Sequence, residues 1–402
     1  MSAPTTITIM GATGSIGTSA LDVIRHANSV SGQTIYRVEA LVAGRNIERL
    51  AAQAIEFKAS LAVISDESKL DELRARLAGT DIEVAAGENA VIEAATRPVD
   101  RVLAAIVGIN GLPSTLAAVT AGNAIALANK ESMVCAGPLL KQRAAEQNVA
   151  IVPTDSEHNA MFQVMERRED VEKLILTASG GPFRGKTLSQ LHQVTPKMAL
   201  AHPRWDMGEK ISIDSATLFN KGLELIEAAY LFDMPQSQID VVVHPQSTIH
   251  SLVAYRDGSV LAQLGEPDMR VPIAHALSWP NRRQPTNVKP LDLIALGKLD
   301  FEGLDANCFP AIELSRRALD LGHGAPILLN CANESAVAAF LAGKCRFLDI
   351  SWIVEMALER FLSGDMSQQA CDSLEAIMAI EAEARELTGA LLAEASVRHV
   401  GV

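Results

Sequence analysis

The chain has 402 residues, of which 48% are hydrophobic, 21% charged and 4% aromatic. This length allows two or three domains with their own cores, and the scarcity of aromatic residues favours an α/β core of Ala, Val, Ile and Leu. The formal net charge of −13 argues against a nucleic-acid surface and against an anionic membrane partner. An anionic ligand would therefore need a local cluster of cations and backbone donors.

The cysteines and the apolar segments indicate the compartment. The five cysteines are widely spaced and form no C-x-x-C pair, which favours buried thiols over disulfides or a zinc site. The N-terminus lacks a signal-peptide pattern, and the most apolar region, 102–128, is interrupted by Pro113 and polar residues. These features predict a cytoplasmic protein without a membrane span.

The first predicted strand, 6–10, runs directly into a glycine-rich turn and a helix. The turn is Gly11-Ala12-Thr13-Gly14-Ser15-Ile16-Gly17, a variant of the dinucleotide-binding fingerprint. In that context glycines let the backbone approach a pyrophosphate at the helix N-terminus. The alternative is a glycine-rich turn without a ligand.

The second predicted strand, 37–42, ends in Ala43-Gly44-Arg45-Asn46. An NAD site usually has an acidic residue here for the ribose 2′-hydroxyl, whereas Arg45 and Asn46 suit a 2′-phosphate. The sequence therefore favours NADP(H), although Arg45 could also be an exposed loop charge.

Strands and helices then alternate through the first third of the chain. Such β-α-β units predict an α/β, doubly wound parallel sheet, with ligands at the carboxyl ends of the strands. Lys130 follows the strand 124–127, so a ligand contact is favoured over a surface charge. The other predicted strands are 61–64, 82–85 and 101–107, and the helices are 70–77, 90–95 and 112–121.

Two carboxylates follow the short apolar strand 150–152. Asp155 and Glu157 are two residues apart, which in an extended segment places them on the same side. With a third carboxylate they would provide hard oxygen ligands for Mg²⁺ or Mn²⁺. The alternative is a helix cap beside a solvated charge.

The next predicted strand, 173–177, ends in a turn suited to an oxyanion or phosphate, Ser179-Gly180-Gly181. The segment 184–210 has little periodicity but contains His202 and Trp205. A long segment of this kind predicts an active-site lid. Trp205 could instead be a partly buried anchor.

A long helix is predicted over 212–231. Asn220 and Glu224 share one face of it, and Ser215 and Lys221 lie near enough to frame the same site. Glu224 is the candidate third carboxylate, and Glu227, one turn further on, is an equal competitor by spacing.

The rest of the chain completes a domain prediction. A strand at 239–243 and a hairpin at 251–264 belong to an α+β domain, and helices dominate from 311 onward, including 330–341 and 374–394. The predicted divisions are an NADPH-binding domain (1–154), a catalytic α+β domain (155–280) with the lid at about 184–210, a proline-rich linker (281–310) and a C-terminal helical bundle (311–402).

Seven motifs, in this order, make the chain resemble the 1-deoxy-D-xylulose 5-phosphate reductoisomerase family over almost its whole length. The glycine-rich turn is generic, and the other six are specific. They are Ala128-Asn129-Lys130-Glu131-Ser132, Asp155-Ser156-Glu157-His158-Asn159, Ser179-Gly180-Gly181-Pro182-Phe183, His202-Pro203-Arg204-Trp205, Asn220-Lys221-Gly222-Leu223-Glu224 and His244-Pro245-Gln246-Ser247.

The resemblance implies a role for each matching residue. It makes Asp155, Glu157 and Glu224 the metal ligands, which favours Glu224 over Glu227, and it makes Trp205 part of the lid. Substrate contacts are implied for Lys130, Ser156, Glu157, Ser179, His202, Ser215, Asn220, Lys221 and Glu224. NADPH contacts are implied for Thr13, Gly14, Ser15, Ile16, Gly44, Arg45, Asn46, Asn129, Glu131 and Gly208.

The resemblance also implies the activity. A homodimeric, NADPH-dependent oxidoreductase would isomerise and reduce 1-deoxy-D-xylulose 5-phosphate to 2-C-methyl-D-erythritol 4-phosphate, in non-mevalonate isoprenoid precursor synthesis. Its metal would be Mg²⁺ or Mn²⁺, with Co²⁺ as a further candidate. Two alternatives are an NADP-dependent dehydrogenase of another phosphorylated or semialdehyde substrate and a non-enzymatic NADPH sensor. Neither alternative needs three metal-binding carboxylates.

Overall fold

The structure, a computed structural model, describes residues 3–201, 208–281, 284–362, 364 and 369–398. The chain forms two compact units. The first comprises Met1–Ser132, Leu140–Phe162 and Asp268–Pro290, and the second comprises Met133–Leu139, Gln163–Pro267 and Leu291–Val402.

The strands and helices are numbered in chain order. The strands are β1 (Thr5–Met10), β2 (Tyr36–Ala43), β3 (Leu61–Ile64), β4 (Glu83–Ala86), β5 (Arg101–Ala104), β6 (Ile125–Leu127), β7 (Ile151–Pro153), β8 (Val171–Ala178), β9 (Ile239–Val243), β10 (Ile249–Tyr255) and β11 (Val260–Leu264). The helices are α1 (Ser15–Ser31), α2 (Ile47–Phe57), α3 (Leu70–Arg76), α4 (Glu88–Thr96), α5 (Leu112–Thr120), α6 (Lys130–Gln147), α7 (Ser156–Val164), α8 (Leu188–Leu191), α9 (Pro196–Ala199), α10 (Glu209–Thr217), α11 (Phe219–Phe232), α12 (Arg270–Ser278), α13 (Leu293–Leu296), α14 (Ala311–Leu321), α15 (Ala325–Leu341), α16 (Phe347–Leu362) and α17 (Leu374–Arg398).

The first unit is built on a parallel sheet of seven strands in the order β4-β3-β2-β1-β5-β6-β7. From β1 the chain runs outward to β4, then returns to β5 beside β1. Strand order therefore reverses between β1 and β5, where doubly wound sheets bind ligands. Ile7, Leu41 and Leu103 are fully buried in its core. The predicted parallel α/β sheet is confirmed.

The helix α12 belongs to the first unit although it lies more than a hundred residues beyond the sheet in sequence. Its residues Ile273 and Leu277 join the same hydrophobic core, and α12 packs against α1. This segment falls within the predicted domain 155–280, and its helix was not predicted. The contact between α12 and the sheet joins distant segments and therefore leaves no local signal in the sequence. The predicted domain boundaries stay a prediction.

The second unit contains a mixed sheet of four strands in the order β11-β10-β8-β9. β8 and β9 are parallel, whereas β10 is antiparallel to both β8 and β11. The predicted hairpin is confirmed, with Gly258 at a positive φ of 88° in its turn. Beyond the sheet, α15 packs against α16 and α17. The predicted helical C-terminal part is therefore confirmed too.

Two predicted elements were wrong in extent. The predicted helix 212–231 is two helices, α10 and α11, separated by Leu218 in the left-handed conformation with φ 64°. The Thr217 hydroxyl donates to the Ile213 carbonyl at 2.9 Å, an interaction that competes with regular helix geometry. The strand predicted over 101–107 ends at Ala104, so its last three residues are irregular.

The predicted lid is more structured than its lack of periodicity indicated. α8 and α9 lie within it, and Leu191 and Ala199 are fully buried. Single apolar anchors of this kind leave no periodic pattern. His202 and Trp205 lie outside the described residues.

The five cysteines are free thiols, and burial raises the pKa values of Cys331 and Cys345 to about 12. Such thiols stay protonated and inert at neutral pH. Among the described residues, no helix combines the length and the apolar character needed to cross a membrane.

Candidate active site

The carboxyl edge of the seven-stranded sheet carries most of the residues predicted to bind the cofactor. The segments 13–16, 44–46, 129–131 and 155–157 follow β1, β2, β6 and β7. Because all seven strands are parallel, these segments emerge at one edge of the sheet. The fold of the first unit thus brings together residues that are far apart in sequence.

The turn after β1 has the geometry of a pyrophosphate site. Gly11 has φ 92°, and a Cβ there would lie 2.5 Å from the Ala105 carbonyl oxygen, so only glycine fits. Gly14 is the N-cap of α1, which has no side-chain cap and no acidic residue in its first turn. The N–H groups at the start of α1 are therefore suited to an anion.

Two side chains of α2 hold this turn, and neither was predicted from the sequence. Arg49 donates to the Thr13 carbonyl at 3.1 Å, and Gln53 donates to the Ala12 carbonyl at 3.1 Å. The two residues are one helical turn apart, and Gln53 is buried. A buried glutamine on the apolar face of an amphipathic helix was the signal available in the sequence.

Arg45 is highly exposed at the end of β2. Its side chain is 86% accessible and forms an ion pair with Asp66 at 3.2 Å. Hydrogen bonds from Ser68, together with the nearby Arg45, lower the pKa of the Asp66 carboxyl. Asn46 is the N-cap of α2 and accepts a hydrogen bond from the Arg49 N–H at 3.0 Å. Arg45 is thus a cation with most of its surface open to a ligand.

Asn129 is buried at the N-terminus of α6. Its side chain accepts from the Ser132 N–H at 2.8 Å and donates to the Gly108 carbonyl at 2.9 Å and to Glu131 at 3.1 Å. The residue therefore fastens the loop after β5 to the start of α6, beside the strand that carries the glycine-rich turn.

The two carboxylates after β7 do not lie on an extended strand, so that prediction was wrong. β7 ends at Pro153 and α7 begins at Ser156, which puts Glu157 in the first turn of a helix. An oxygen of Asp155 still lies within 4.8 Å of an oxygen of Glu157. Lys130 contacts the Asp155 carboxylate at 2.5 Å, and Ser156 donates to Glu157 at 2.5 Å.

Asn159 holds these carboxylates in place and was missed as a positioning residue. Its fully buried amide donates to the Pro153 carbonyl at 2.7 Å and contacts His275 Nδ1 of α12 at 2.9 Å. The side chain thereby joins the end of β7 and the start of α7 to α12.

In the second unit, the turn after β8 packs directly against the end of α10. Gly181 has φ 64°, and a Cβ there would lie 2.6 Å from the Ser215 carbonyl oxygen. The Ser179 hydroxyl accepts from the Gly181 N–H at 3.2 Å. Gly208, the N-cap of α10, has no neighbour within 4 Å of where its Cβ would be. Two of the predicted substrate residues, Ser179 and Ser215, thus lie close together.

Three further predicted substrate residues, Asn220, Lys221 and Glu224, lie on α11. Asn220 donates to Glu224 at 2.5 Å, and Lys221 forms an ion pair with the same carboxylate. Glu224 and Glu227 are both fully buried, so burial does not separate the two candidates for the third metal ligand. What distinguishes Glu224 is its contact with two predicted substrate-binding side chains.

Three features are typical of a dinucleotide-dependent oxidoreductase: the doubly wound sheet, the glycine-rich turn suited to an anion and the exposed arginine after β2. Three family models match the chain and together cover most of it. The model described as 1-deoxy-D-xylulose 5-phosphate reductoisomerase matches residues 7–137. The model of the 1-deoxy-D-xylulose 5-phosphate reductoisomerase C-terminal domain matches 151–232, and a further model, the DXP reductoisomerase C-terminal domain, matches 264–387. The chain belongs to the 1-deoxy-D-xylulose 5-phosphate reductoisomerase family.

Individual relatives agree over nearly full length. The reductoisomerase of Caulobacter vibrioides is 52% identical over 397 residues, covering 98% of both chains, and that of Zymomonas mobilis is 48% identical over 394 residues, covering 98% of this chain and 99% of its own. A solved Zymomonas mobilis structure in complex with NADPH superposes with a TM-score of 0.89 at 47% identity, covering 97% of this chain and 99% of that one. A reductoisomerase complex with NADPH, fosmidomycin and magnesium also has a TM-score of 0.89, at 44% identity, with 96% and 98% covered.

Proposed function

We propose that this chain catalyses the NADPH-dependent and divalent-metal-dependent conversion of 1-deoxy-D-xylulose 5-phosphate to 2-C-methyl-D-erythritol 4-phosphate. The observation that carries the proposal is the set of carboxylate and lysine motifs within a chain that matches the family over its length. An ordinary NADP-dependent dehydrogenase would have no use for three such carboxylates.

The proposed NADPH site fits the first unit. The α1 N-terminus and the backbone of Thr13 to Ile16 would bind the pyrophosphate of NADPH. The 2′-phosphate would be bound by Gly44, Arg45 and Asn46. Asn129, Glu131 and Gly208 complete the proposed contacts. The bound nicotinamide would supply the hydride, and the protein would orient it.

The proposed metal ligands are Asp155, Glu157 and Glu224, whose carboxylates are the hard donors that Mg²⁺ and Mn²⁺ prefer, with Co²⁺ a further candidate. The bound ion would polarise the ketone and the neighbouring hydroxyl of the substrate. Each of two ligands contacts a lysine, Asp155 with Lys130 and Glu224 with Lys221. These lysines would balance the negative charge of the two carboxylates while the substrate is bound.

The proposed phosphate anchor consists of Ser179, Ser215, Asn220 and Lys221. Hydroxyl, amide and ammonium donors would hold the phosphate at a distance from the reacting carbons and so align them. Ser156 and Lys130 would contact the reacting end. His202 is proposed to contact the substrate, and Trp205 to cover it and exclude water.

The assembly and compartment remain proposals. Family resemblance supports a homodimer, and the thiol chemistry supports a reducing cytoplasm. Light scattering of the purified chain would measure its mass in solution. A mass of one chain would refute the dimer.

The decisive experiment is NADPH oxidation, followed with the purified chain, 1-deoxy-D-xylulose 5-phosphate and Mg²⁺. Turnover should disappear with a chelator and return with added Mn²⁺. Turnover that survives complete metal removal would favour the ordinary dehydrogenase, and a complete lack of turnover would favour a sensor.

Arg45→Asp should reverse the charge that faces the 2′-phosphate and lower the preference for NADPH over NADH. Loss of one charge-assisted contact of about 1.5–3 kcal/mol predicts a loss of roughly ten- to a hundredfold in kcat/KM with NADPH. The measurement is kcat/KM with each cofactor. An unchanged ratio would show that Arg45 is only a surface charge.

Gly181→Ala should weaken substrate binding, since its Cβ would collide with the Ser215 carbonyl in a left-handed backbone. Gly185→Ala is the matched control, because Gly185 also has a positive φ, 76°, but open space around its Cβ position. We expect the substrate KM to rise about tenfold or more in the first variant only. Equal effects in both would assign the loss to backbone strain alone.

A further inference from the structure

The side chain of Asp214 is buried on α10, next in sequence to Ser215. One carboxylate oxygen accepts from the Asn333 amide of α15 at 2.7 Å, and the other pairs with Lys210 at 2.7 Å. Asp214 is 1% exposed and Asn333 is fully buried. Burying a carboxylate costs free energy that its partners only roughly offset.

Helix stability does not explain this pair. Lys210 lies in the first turn of α10 and Asp214 in its last turn. A cation near the N-terminus and an anion near the C-terminus both oppose the helix dipole. A Lys that precedes an Asp by four residues also has the less favourable orientation for an intrahelical pair.

The position of α10 does offer an explanation. Its C-terminal end carries the Ser215 carbonyl, against which the Gly181 turn is packed with no room for a Cβ. Three residues after Ser215, Leu218 turns the chain into α11, which carries Asn220 and Lys221. A small shift of α10 would therefore move both parts of the proposed phosphate anchor.

We propose that Asp214 is a positioning residue that fixes α10 against α15, so that the phosphate-binding residues keep their mutual geometry. The proposal rests on the function proposed above. Lys210 neutralises the Asp214 carboxylate, and Asn333 sets the position of α10 along α15. Asp214 itself does not touch the substrate.

The test uses the full-length Asp214→Asn variant, which keeps the shape of the side chain and removes its charge. Inorganic phosphate serves as a probe, measured as a competitive inhibitor of the substrate. We expect the substrate KM and the inhibition constant for phosphate to rise together, about tenfold or more, while the KM for NADPH stays unchanged. Lys210→Met, altered at a partly exposed position, should reproduce the effect, and Lys210→Arg should restore most of it.

Asp349→Asn is the matched control, because Asp349 is also a buried helical carboxylate, which accepts from the Arg346 N–H at 2.7 Å. It should leave the phosphate inhibition constant unchanged. A wild-type phosphate constant in both Asp214→Asn and Lys210→Met would overturn the inference, as would equal losses for phosphate and NADPH. An inactive wild-type chain would refute the proposed function instead.

Discussion

Asp155→Asn, Glu157→Gln and Glu224→Gln should each abolish most turnover while leaving the KM for NADPH nearly unchanged. Each change keeps the shape of the side chain but removes a charged oxygen ligand, so the electrostatic stabilisation that the metal supplies should fall. We expect a loss of at least about 10²-fold in kcat. The measurement is steady-state kcat at saturating Mg²⁺ and again at saturating Mn²⁺.

The geometry of the sheet explains why NADPH binding should survive the changes after β7. β7 is three strands away from β1 in the sheet order, which corresponds to about 14 Å at the usual strand spacing. Asp155 and Glu157 thus lie well away from the glycine-rich turn. A parallel loss of NADPH affinity would indicate that these variants disturb the sheet edge itself.

Glu227→Gln is the matched control for Glu224→Gln. Both glutamates lie on α11, three residues apart, and both are fully buried, so the two changes remove the same charge from equally buried positions of one helix. The variant at Glu227 should be far milder. If it were the more damaging of the two, the metal ligand would be Glu227, and the assignment carried by family resemblance would be wrong.

The sequence was most informative where a local pattern has one structural solution. The turn from Gly11 to Gly17 between a strand and a helix predicts a pyrophosphate-binding turn, because only glycine tolerates φ 92° beside the Ala105 carbonyl. The parallel sheet followed from alternating β and α periods. Because the strands of a parallel sheet end at the same edge, the sequence also predicted that the segments after the strands lie along one edge of the sheet.

The contacts that hold the site in place could not be predicted, because they join distant parts of the chain. Asn159 and His275 are 116 residues apart, and Asn333 and Asp214 are 119 apart. The break at Leu218 was missed for a different reason. The hydrophobic pattern continues through it, and only the left-handed backbone at Leu218 separates α10 from α11.

Lys221→Met should have opposite effects on the binding of the substrate and on the binding of Mn²⁺. The Lys221 ammonium pairs with Glu224, and the two side chains are only 4% and 1% exposed. Without the ammonium, the substrate phosphate loses a cation, while the buried carboxylate gains a more negative surrounding potential. We therefore expect the substrate KM to rise about 10²-fold and Mn²⁺ to bind more tightly.

Mn²⁺ binding can be measured directly by electron paramagnetic resonance or calorimetry, independently of turnover. In the absence of metal the variant should be less stable by about 3–5 kcal/mol, because one partner of a buried pair is missing. Added Mn²⁺ should therefore raise the melting temperature of the variant more than that of the wild type.

Lys173→Met provides the control, since Lys173 pairs with Asp240 at 3.0 Å in the same unit but with side chains 44% and 49% exposed. Exposed pairs contribute little, so this variant should change neither ligand. If Mn²⁺ binding weakened in Lys221→Met together with substrate binding, Lys221 would support the metal ligand instead of competing with the ion for Glu224. In that case the lysine would be part of the metal site's framework and not primarily a phosphate-binding cation.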